Sequence, residues 1–198
     1  MIRSRNVSET PTIDPQVLDG VRRALRDHGL HGATLERIAE AAGLSRMTLH
    51  RRGLSRERLL AALAIDVRAA YRQALWPALT AKGTGRERLE LALRGECDVV
   101  DSHVEVLEAL DEPTHGRVFH EPGSSGLTHP DLVEPIERIL LDGVADGTLR
   151  DLPPAETATL LLNLVGHTYR HLRRQHGWTA ARARERILDV ALRGVEAR

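Results

Sequence analysis

Apolar residues recur every three or four positions along most of this chain, and this spacing constrains the fold more than any other feature. Such a period places them on one face of an α-helix, whereas a half-buried β-strand needs alternation with a period of two. No segment of the sequence alternates in that way. The sequence therefore predicts an all-α protein of about nine helices. The first apolar stripe comprises Val17, Leu18, Val21, Ala24 and Leu25.

Residues that cap or break helices mark the predicted helix ends. Asp, Ser and Thr side chains accept hydrogen bonds from the first amides of a helix, and glycine readily ends one. We expect Gly43 and Gly53 to end the second and third helices, and the fourth helix to end or kink at Pro77. The predicted starts of the first four helices carry suitable caps at Asp14, Thr34, Ser45 and Ser55.

The second half of the chain carries longer apolar stripes. Residues 89–107 predict a long helix that is broken near Gly95 or Asp101. Residues 113–129 form the longest irregular stretch, because they combine several glycines, prolines and histidines. Three further helices are expected, from about 130 to 147, from 154 to 175 and from 179 to 195.

Composition excludes several classes of protein. With 198 residues, of which 28% are charged and 41% hydrophobic, the chain suits a globular protein with a real core. Its one cysteine, Cys97, excludes an intramolecular disulfide framework and a multi-cysteine metal site. No apolar run approaches the roughly 18 to 20 residues that span a bilayer, and Met1–Thr10 lacks a signal-peptide core. We therefore expect a soluble, cytoplasmic protein without a membrane partner.

The net charge of zero hides an uneven distribution. Residues 1–58 contain 11 Arg and 7 Asp or Glu, whereas residues 59–198 contain 17 Lys or Arg and 21 Asp or Glu. The N-terminal part is thus basic by four charges and the remainder acidic by four. A small basic region on a larger acidic body fits a phosphate-binding head.

The stretch from Thr34 to Arg52 has the arrangement of a helix-turn-helix motif. Ala39 is small where the two helices approach, Gly43 permits the chain reversal, and Ser45 caps the second helix. In a major groove that second helix would present Arg46, Met47, Thr48, His50, Arg51 and Arg52. The alternative is an ordinary helical hairpin with a solvated arginine face. Three arginines among seven residues without an acid argue against it.

A set of residues at fixed spacing strengthens the motif: Thr34, Ile38-Ala39, Ala42-Gly43-Leu44-Ser45, Thr48-Leu49, Ser55-Arg56-Glu57 and Leu59-Leu60. Over residues 14–63 the sequence resembles the TetR-type (TetR/AcrR) transcriptional regulators. The resemblance implies a flexible arm over residues 1–13, a DNA-binding domain over 14–58 and a helical effector-binding and dimerisation domain over 59–198. It also implies a repressor that acts as a homodimer on a pseudo-palindromic operator and responds to a small-molecule effector.

The sequence departs from the family pattern at three places. His50 stands where the family has Tyr, Arg52-Gly53 where it often has His-Phe, and Arg56 where it has Lys. Arginine binds phosphate at least as well as lysine, and histidine also donates to phosphate. The missing Phe normally packs beneath the recognition helix, and we expect Leu54 to take its place.

Each residue of the predicted DNA interface has an expected role. Arg46 is the candidate for reading a guanine, and Met47 for touching a thymine methyl group. By resemblance, Thr34, Thr48, His50 and Arg56 anchor phosphates. Arg52 occupies a position that the family uses for DNA, and Arg51 either contacts DNA or pairs with a nearby acid. An additional contact is open for the N-terminal arm, which either enters the minor groove through Arg3 and Arg5 or is simply disordered.

The body carries two further predictions. Thr157–Tyr169 lacks charged residues and must be covered on most sides. We therefore expect a homodimer interface formed by the last two helices, about 154–175 and 179–195. The residues expected to line the effector pocket are Leu75, Trp76, Val104 and His120.

Two other functions stay open on the sequence. The first is a helical metal-binding protein or enzyme that uses His167 and His171, four residues apart, with the loop histidines His115, His120 and His129. The second is a ligand-binding protein that has lost DNA binding. The sequence holds none of the catalytic or nucleotide-binding motifs that we considered. We therefore expect neither an enzyme nor a cofactor, and we expect Cys97 to be a core residue.

Overall fold

The computed structural model describes residues 13–110, 128 and 130–197. In these ranges the chain forms nine α-helices and no strand, which confirms the all-α prediction. Predictions on the N-terminal arm with Arg3 and Arg5, and on His115, His120 and His129, lie outside the described residues. The helices are α1 Pro15–Gly32, α2 Leu35–Ala41, α3 Arg46–Arg51, α4 Arg56–Thr80, α5 Gly85–Ser102, α6 Val104–Leu110, α7 Pro130–Ala145, α8 Pro154–Arg174 and α9 Ala180–Val195.

The chain divides into two compact units, one up to Leu63 and one from Ala64 onward. The boundary lies within α4. The predicted division at residue 58, with the roles assigned to each part, stays a prediction.

The four predicted helix caps are confirmed by hydrogen bonds. Asp14 accepts from the Gln16 amide at 3.0 Å, and Thr34 accepts from the Arg37 amide at 3.4 Å. Ser45 accepts from the Thr48 amide at 3.0 Å, and Ser55 accepts from the Arg58 amide at 3.3 Å.

Two helix boundaries were predicted with alternatives. The helix α4 continues beyond Pro77 to Thr80, so the proline does not end it. The Ala81 amide still donates to the Pro77 carbonyl at 2.9 Å, because a proline lacks a donor but keeps its acceptor. The long helix over 89–107 is broken at His103, which is near Asp101, the second of the two predicted positions, and not at Gly95. There the Ser102 hydroxyl donates to the Asp98 carbonyl at 2.8 Å, a side-chain bond that competes with the helical ladder.

The N-terminal unit packs its first two helices closely. A Cβ atom at Gly20 would lie 2.6 Å from the Ala42 Cβ, so only glycine fits on α1 at this crossing. The core of this unit also contains Ile38 and Ala39 from α2 and Leu49 from α3, and all three are buried. This packing fixes the orientation of α2 and holds α3 by its one fully buried leucine.

The second unit is a helical core in which α5 packs against α7, α8 and α9. Its buried side chains are almost all aliphatic, and Cys97 lies among them as predicted. The segment after α7 returns to α9, where the Arg150 amide donates to the Val195 carbonyl at 2.9 Å. Among the described helices, none has the length and apolarity to cross a membrane.

Candidate nucleic-acid interface

The turn between α2 and α3 is fixed by backbone hydrogen bonds. Gly43 has a φ of 67°, which side-chain-bearing residues adopt only with strain. Its amide donates to the Glu40 carbonyl at 2.9 Å, and the Leu44 amide donates to the Ala39 carbonyl at 2.8 Å. This pair of bonds is the Schellman arrangement that ends a helix. It reverses the chain so that Ser45 can cap α3.

The same arrangement ends α3. Gly53 has a φ of 66°, its amide donates to the His50 carbonyl at 2.9 Å, and the Leu54 amide donates to the Leu49 carbonyl at 3.0 Å. Leu54 is buried, as expected of a residue that replaces the missing aromatic side chain. The departure at Gly53 therefore ends α3 cleanly without exposing the apolar layer beneath it.

The outer face of α3 is exposed and carries the predicted contact residues. Met47 is 63% exposed, and Arg46, His50, Arg51 and Arg52 are exposed as well. Thr48 is half-buried, with its hydroxyl 2.9 Å from that of Ser45. Leu49 is fully buried and anchors the helix. The arrangement leaves a row of donors and one thioether available to a nucleic-acid groove.

An acidic residue that the sequence analysis did not single out adjoins this face. Glu36, on the first turn of α2, lies with its Oε1 3.0 Å from the Nε of Arg46. Bonds from its own backbone amide and from Thr34, with the charge of Arg46, lower the pKa of the Glu36 carboxyl. Ten residues separate the partners, so no local pattern could have indicated the pair.

Two other predicted contact residues also have partners within the unit. Arg52 lies 3.9 Å from Asp14, a loose ion pair between exposed groups. Arg56 donates through Nε to the Ala33 carbonyl at 2.9 Å and through Nη2 to the Leu30 carbonyl at 2.5 Å. It therefore satisfies carbonyls at the end of α1. Its predicted phosphate contact, like those of Thr34, Thr48 and His50, stays a prediction.

The predicted pocket residues of the second unit differ in how far they are exposed to solvent. Leu75 is fully buried, Trp76 is exposed and Val104 is half-buried. None of them lines the open groove of about 530 Å³ that the second unit presents along α8. Arg174 pairs there with Glu108 at 3.0 Å. Sequence reasoning missed this groove, which is lined by Glu108, His167, Thr168, Arg170, His171, Arg174 and Gln175.

The histidine pair on α8 does not form a metal centre by itself. His167 and His171 both line the groove, and the Arg170 guanidinium lies 3.2 Å from Nδ1 of His167. In the described part of the chain, no three His, Cys, Asp or Glu side chains are placed to hold an ion. The metal-binding alternative therefore receives no support from these residues.

One carboxyl group is buried in the second unit. Glu96 on α5 is only 1% exposed, and its Oε2 has no hydrogen-bond partner among the described residues. Burial raises the pKa of this carboxyl well above its ordinary value, although a backbone hydrogen bond at Gly166 opposes the shift. Burial, with the adjoining Glu96, also raises the pKa of the Cys97 thiol to about 12. A thiol that stays protonated fits a core residue better than a redox sensor.

Comparison with known proteins gives one family and one fold. Residues 17–63 match the family model described as bacterial regulatory proteins, tetR family. No curated protein matches the chain. Among solved structures, a transcriptional regulator of the TetR/AcrR family from Thermobifida fusca YX-ER1 has a TM-score of 0.71 at 20% identity, covering 90% of this chain and 96% of that one.

Two other similar structures are regulators whose descriptions mention a small molecule. KstR2 of Mycobacterium tuberculosis, a ketosteroid transcriptional regulator, has a TM-score of 0.68 at 15% identity and covers 92% of this chain and 94% of that one. FadR from Bacillus subtilis, solved in complex with stearoyl-CoA, has a TM-score of 0.71 at 14% identity, with coverages of 89% and 96%. The matched helix-turn-helix and the shared fold agree with the resemblance that the motif residues carry. Residues 17–63 thus match the tetR family of bacterial regulatory proteins, and the chain shares the fold of the similar solved structures.

Proposed function

We propose that this protein is a ligand-responsive transcriptional repressor that binds a pseudo-palindromic operator as a homodimer. The observation that carries the proposal is the exposed face of α3, held between two glycine-terminated turns in the region that matches the family model. A protein that acts on an operator works where the DNA is, so we place it in the cytoplasm. It requires neither catalysis nor a cofactor.

In this proposal α3 enters the major groove. Arg46 reads a base and Met47 contacts a thymine methyl group, because both side chains project into solvent from the first turn of the helix. Thr34, Thr48, His50 and Arg56 bind phosphates, and Arg51 and Arg52 add positive charge. The scarcity of lysine leaves phosphate binding to arginine, histidine, hydroxyls and helix N-termini.

The proposed dimer forms through α8 and α9. Leu160 on α8 is 66% exposed and Val190 on α9 is 62% exposed, whereas the other leucine, isoleucine and valine residues of these helices are buried or half-buried. A second copy packed against these helices would cover them. A two-fold dimer also brings two copies of α3 to one face of the DNA, about one helical turn or a multiple apart.

The second unit would bind the effector and reduce DNA affinity. A ligand shifts the equilibrium between two conformations only by its differential affinity for them. We propose a small organic molecule as this effector, a class consistent with the steroid and acyl-CoA named for two proteins of similar fold. The pocket assignment to Leu75, Trp76, Val104 and His120 stays part of this proposal.

A mobility-shift assay tests the DNA-binding proposal. The full chain is titrated against duplexes that flank its own coding region, over a series of salt concentrations, because phosphate contacts give a steep salt dependence. We expect a specific shift that is lost in the double variant Arg46→Ala, Arg52→Ala. The matched control, Arg94→Ala with Arg138→Ala, removes two exposed arginines of the second unit that lie outside α8 and α9, and it should bind as the unaltered protein does. A shift that the first double variant leaves unchanged contradicts the proposal.

A further inference from the structure

We propose that Glu36 is a specificity-determining residue, and that Glu36 and Arg46 together read a guanine and a cytosine amino group lying side by side in the operator. The inference rests on the proposed DNA binding and names the bases that this part of the surface recognises. Its basis is the contact of 3.0 Å between a carboxylate oxygen and the arginine Nε on the exposed face of the N-terminal unit.

The ion pair places the Glu36 carboxylate beside Nε of the Arg46 guanidinium. Nε lies 3.0 Å from Oε1 of Glu36, and no other partner of Arg46 is found in the described structure. The two terminal nitrogens thus keep their N–H groups. Those groups form the fork that donates to O6 and N7 of guanine. A guanidinium tethered at Nε loses less conformational freedom when it binds a base than a free one does.

The carboxylate of Glu36 keeps acceptor capacity for a base. Its two oxygens offer about four lone pairs. Its own amide, the Thr34 side chain and the charge of Arg46, whose Nε lies 3.0 Å from Oε1, act on this carboxylate. The lowered pKa keeps the group ionised at neutral pH, so it can only accept hydrogen bonds. In the major groove, the cytosine N4 amino group is the donor that an acidic side chain pairs with.

Position and charge also explain which sites Glu36 would reject. An anion near a phosphate is repelled, so Glu36 is useful only over base edges. Guanine O6, thymine O4 and the N7 atoms of purines are acceptors and cannot bind a carboxylate, and adenine places such an N7 beside its N6 donor. Glu36 therefore weakens binding to most sequences, while a cytosine beside the guanine relieves this cost. Because Nε of Arg46 lies 3.0 Å from Oε1 of Glu36, the two side chains are close enough to contact one G·C pair or two successive base pairs. Successive base pairs are about 3.4 Å apart.

Selection from a pool of randomised DNA duplexes tests the inference. The full-length protein and the variant Glu36→Gln are each used to enrich duplexes, which are then sequenced. We expect the unaltered protein to enrich a guanine with an adjoining cytosine. In the variant the preference for cytosine should fall by about fivefold or more, and adenine should gain, because a glutamine amide pairs with N6 and N7 of adenine. The variant should fold normally, since exposed ion pairs contribute little stability.

The variant Glu40→Gln is the matched control. Glu40 is exposed one turn further along α2, carries the same charge and makes no ion pair in the described part of the chain. Its removal should raise affinity for all duplexes alike and leave the enriched bases unchanged. Identical enriched bases for Glu36→Gln and the unaltered protein would overturn the inference while leaving DNA binding intact. A protein that enriches no sequence at all would overturn the proposed function and this inference together.

Discussion

Among the described residues, Glu96 is the one charged side chain that is almost completely buried. Its carboxyl group is buried on α5, and a Cβ atom at Gly166 on α8 would lie only 2.8 Å from its Oε1. Glycine in a helix interior costs roughly 1 kcal/mol relative to alanine. The close approach of α8 to this carboxyl is therefore made possible by a residue that weakens the helix locally. In a site this dry the protonated carboxyl is the stable form.

Glu96 should make the stability of the protein depend on pH. Its raised pKa means that the folded protein keeps this proton to a higher pH than the unfolded chain does. Between the two pKa values the unfolded chain binds fewer protons, so the free energy of unfolding falls as the pH rises. Glu96→Gln mimics the protonated form. We expect it to match the unaltered protein at pH 5 and to exceed its stability increasingly toward pH 8, as measured by urea denaturation.

The control for this prediction is Glu156→Gln, which removes an exposed carboxyl from the first turn of α8. That variant should follow the unaltered protein at both pH values. If Glu96→Gln does the same, Glu96 does not stay protonated in the fold, and burial alone does not control its charge.

Most residues that cap helices could be identified from the sequence, whereas their partners in space could not. Ser45 and Thr34 accept from amides three residues ahead, so their roles follow from local sequence. The pairing of Arg46 with Glu36 depends on how α2 and α3 cross. Arg56 likewise reaches carbonyls more than twenty residues away, which no pattern around it indicates.

At the scale of the helices, the closest approach in the second unit is between α5 and α7. A Cβ atom at Gly85 would overlap the Gly143 backbone, so the two helices meet through a pair of glycines. The N-terminus of α5 is held there by hydrogen bonds, because the Gly85 amide donates to Asp146 at 2.6 Å and the Arg86 amide to Thr148 at 3.2 Å. The position of α5 relative to α7 therefore depends on the close approach of Gly85 to Gly143.

Gly85→Ala should therefore destabilise the protein by about 1–3 kcal/mol, since backbone atoms cannot move aside as a flexible side chain can. The comparison is Gly194→Ala near the end of α9, where an added Cβ meets nothing within 4 Å. That substitution should be neutral or stabilising by up to about 1 kcal/mol. Thermal or chemical denaturation measures both. Equal stabilities of the two variants would show that α5 and α7 can separate at no cost.

Helix starts were easier to predict than helix ends and breaks. The helix α5 continues through Gly95, where the glycine allows a close approach to the backbone of α4. A Cβ atom at this position would lie 2.7 Å from the Ala74 carbonyl oxygen. The helix breaks at His103, near the predicted position Asp101. There the side chains of Ser102 and His103 form hydrogen bonds with carbonyl groups of the preceding turn. A sequence pattern identifies a glycine but does not distinguish a break from a close helix contact.

At the scale of the whole molecule, the proposed dimer gives a prediction of its own. Leu160→Glu combined with Val190→Glu places two charges on the outer faces of α8 and α9, where a second copy would pack. Burying unpaired charges opposes association. We expect the unaltered protein to sediment as a dimer and the double variant as a monomer with weakened operator binding. Analytical ultracentrifugation and the mobility-shift assay measure these effects.

Leu141→Glu is the control, because Leu141 is an equally apolar and exposed residue that lies on α7. It should leave the dimer intact. A dimer that survives the double substitution would place the interface elsewhere on the chain, and an unaltered protein that is monomeric would contradict the proposed mode of operator binding.

The sequence by itself determined the helical class, the starts of the first four helices and the location of α3. All of these depend on interactions between residues within about one or two turns of each other, such as apolar spacing, caps and glycine-terminated turns. Only the tertiary structure decided that Glu36 adjoins Arg46, that Arg56 binds carbonyls of α1, and that Glu96 is buried against Gly166. These contacts join residues that are distant in the chain, so they exist only once the helices have packed.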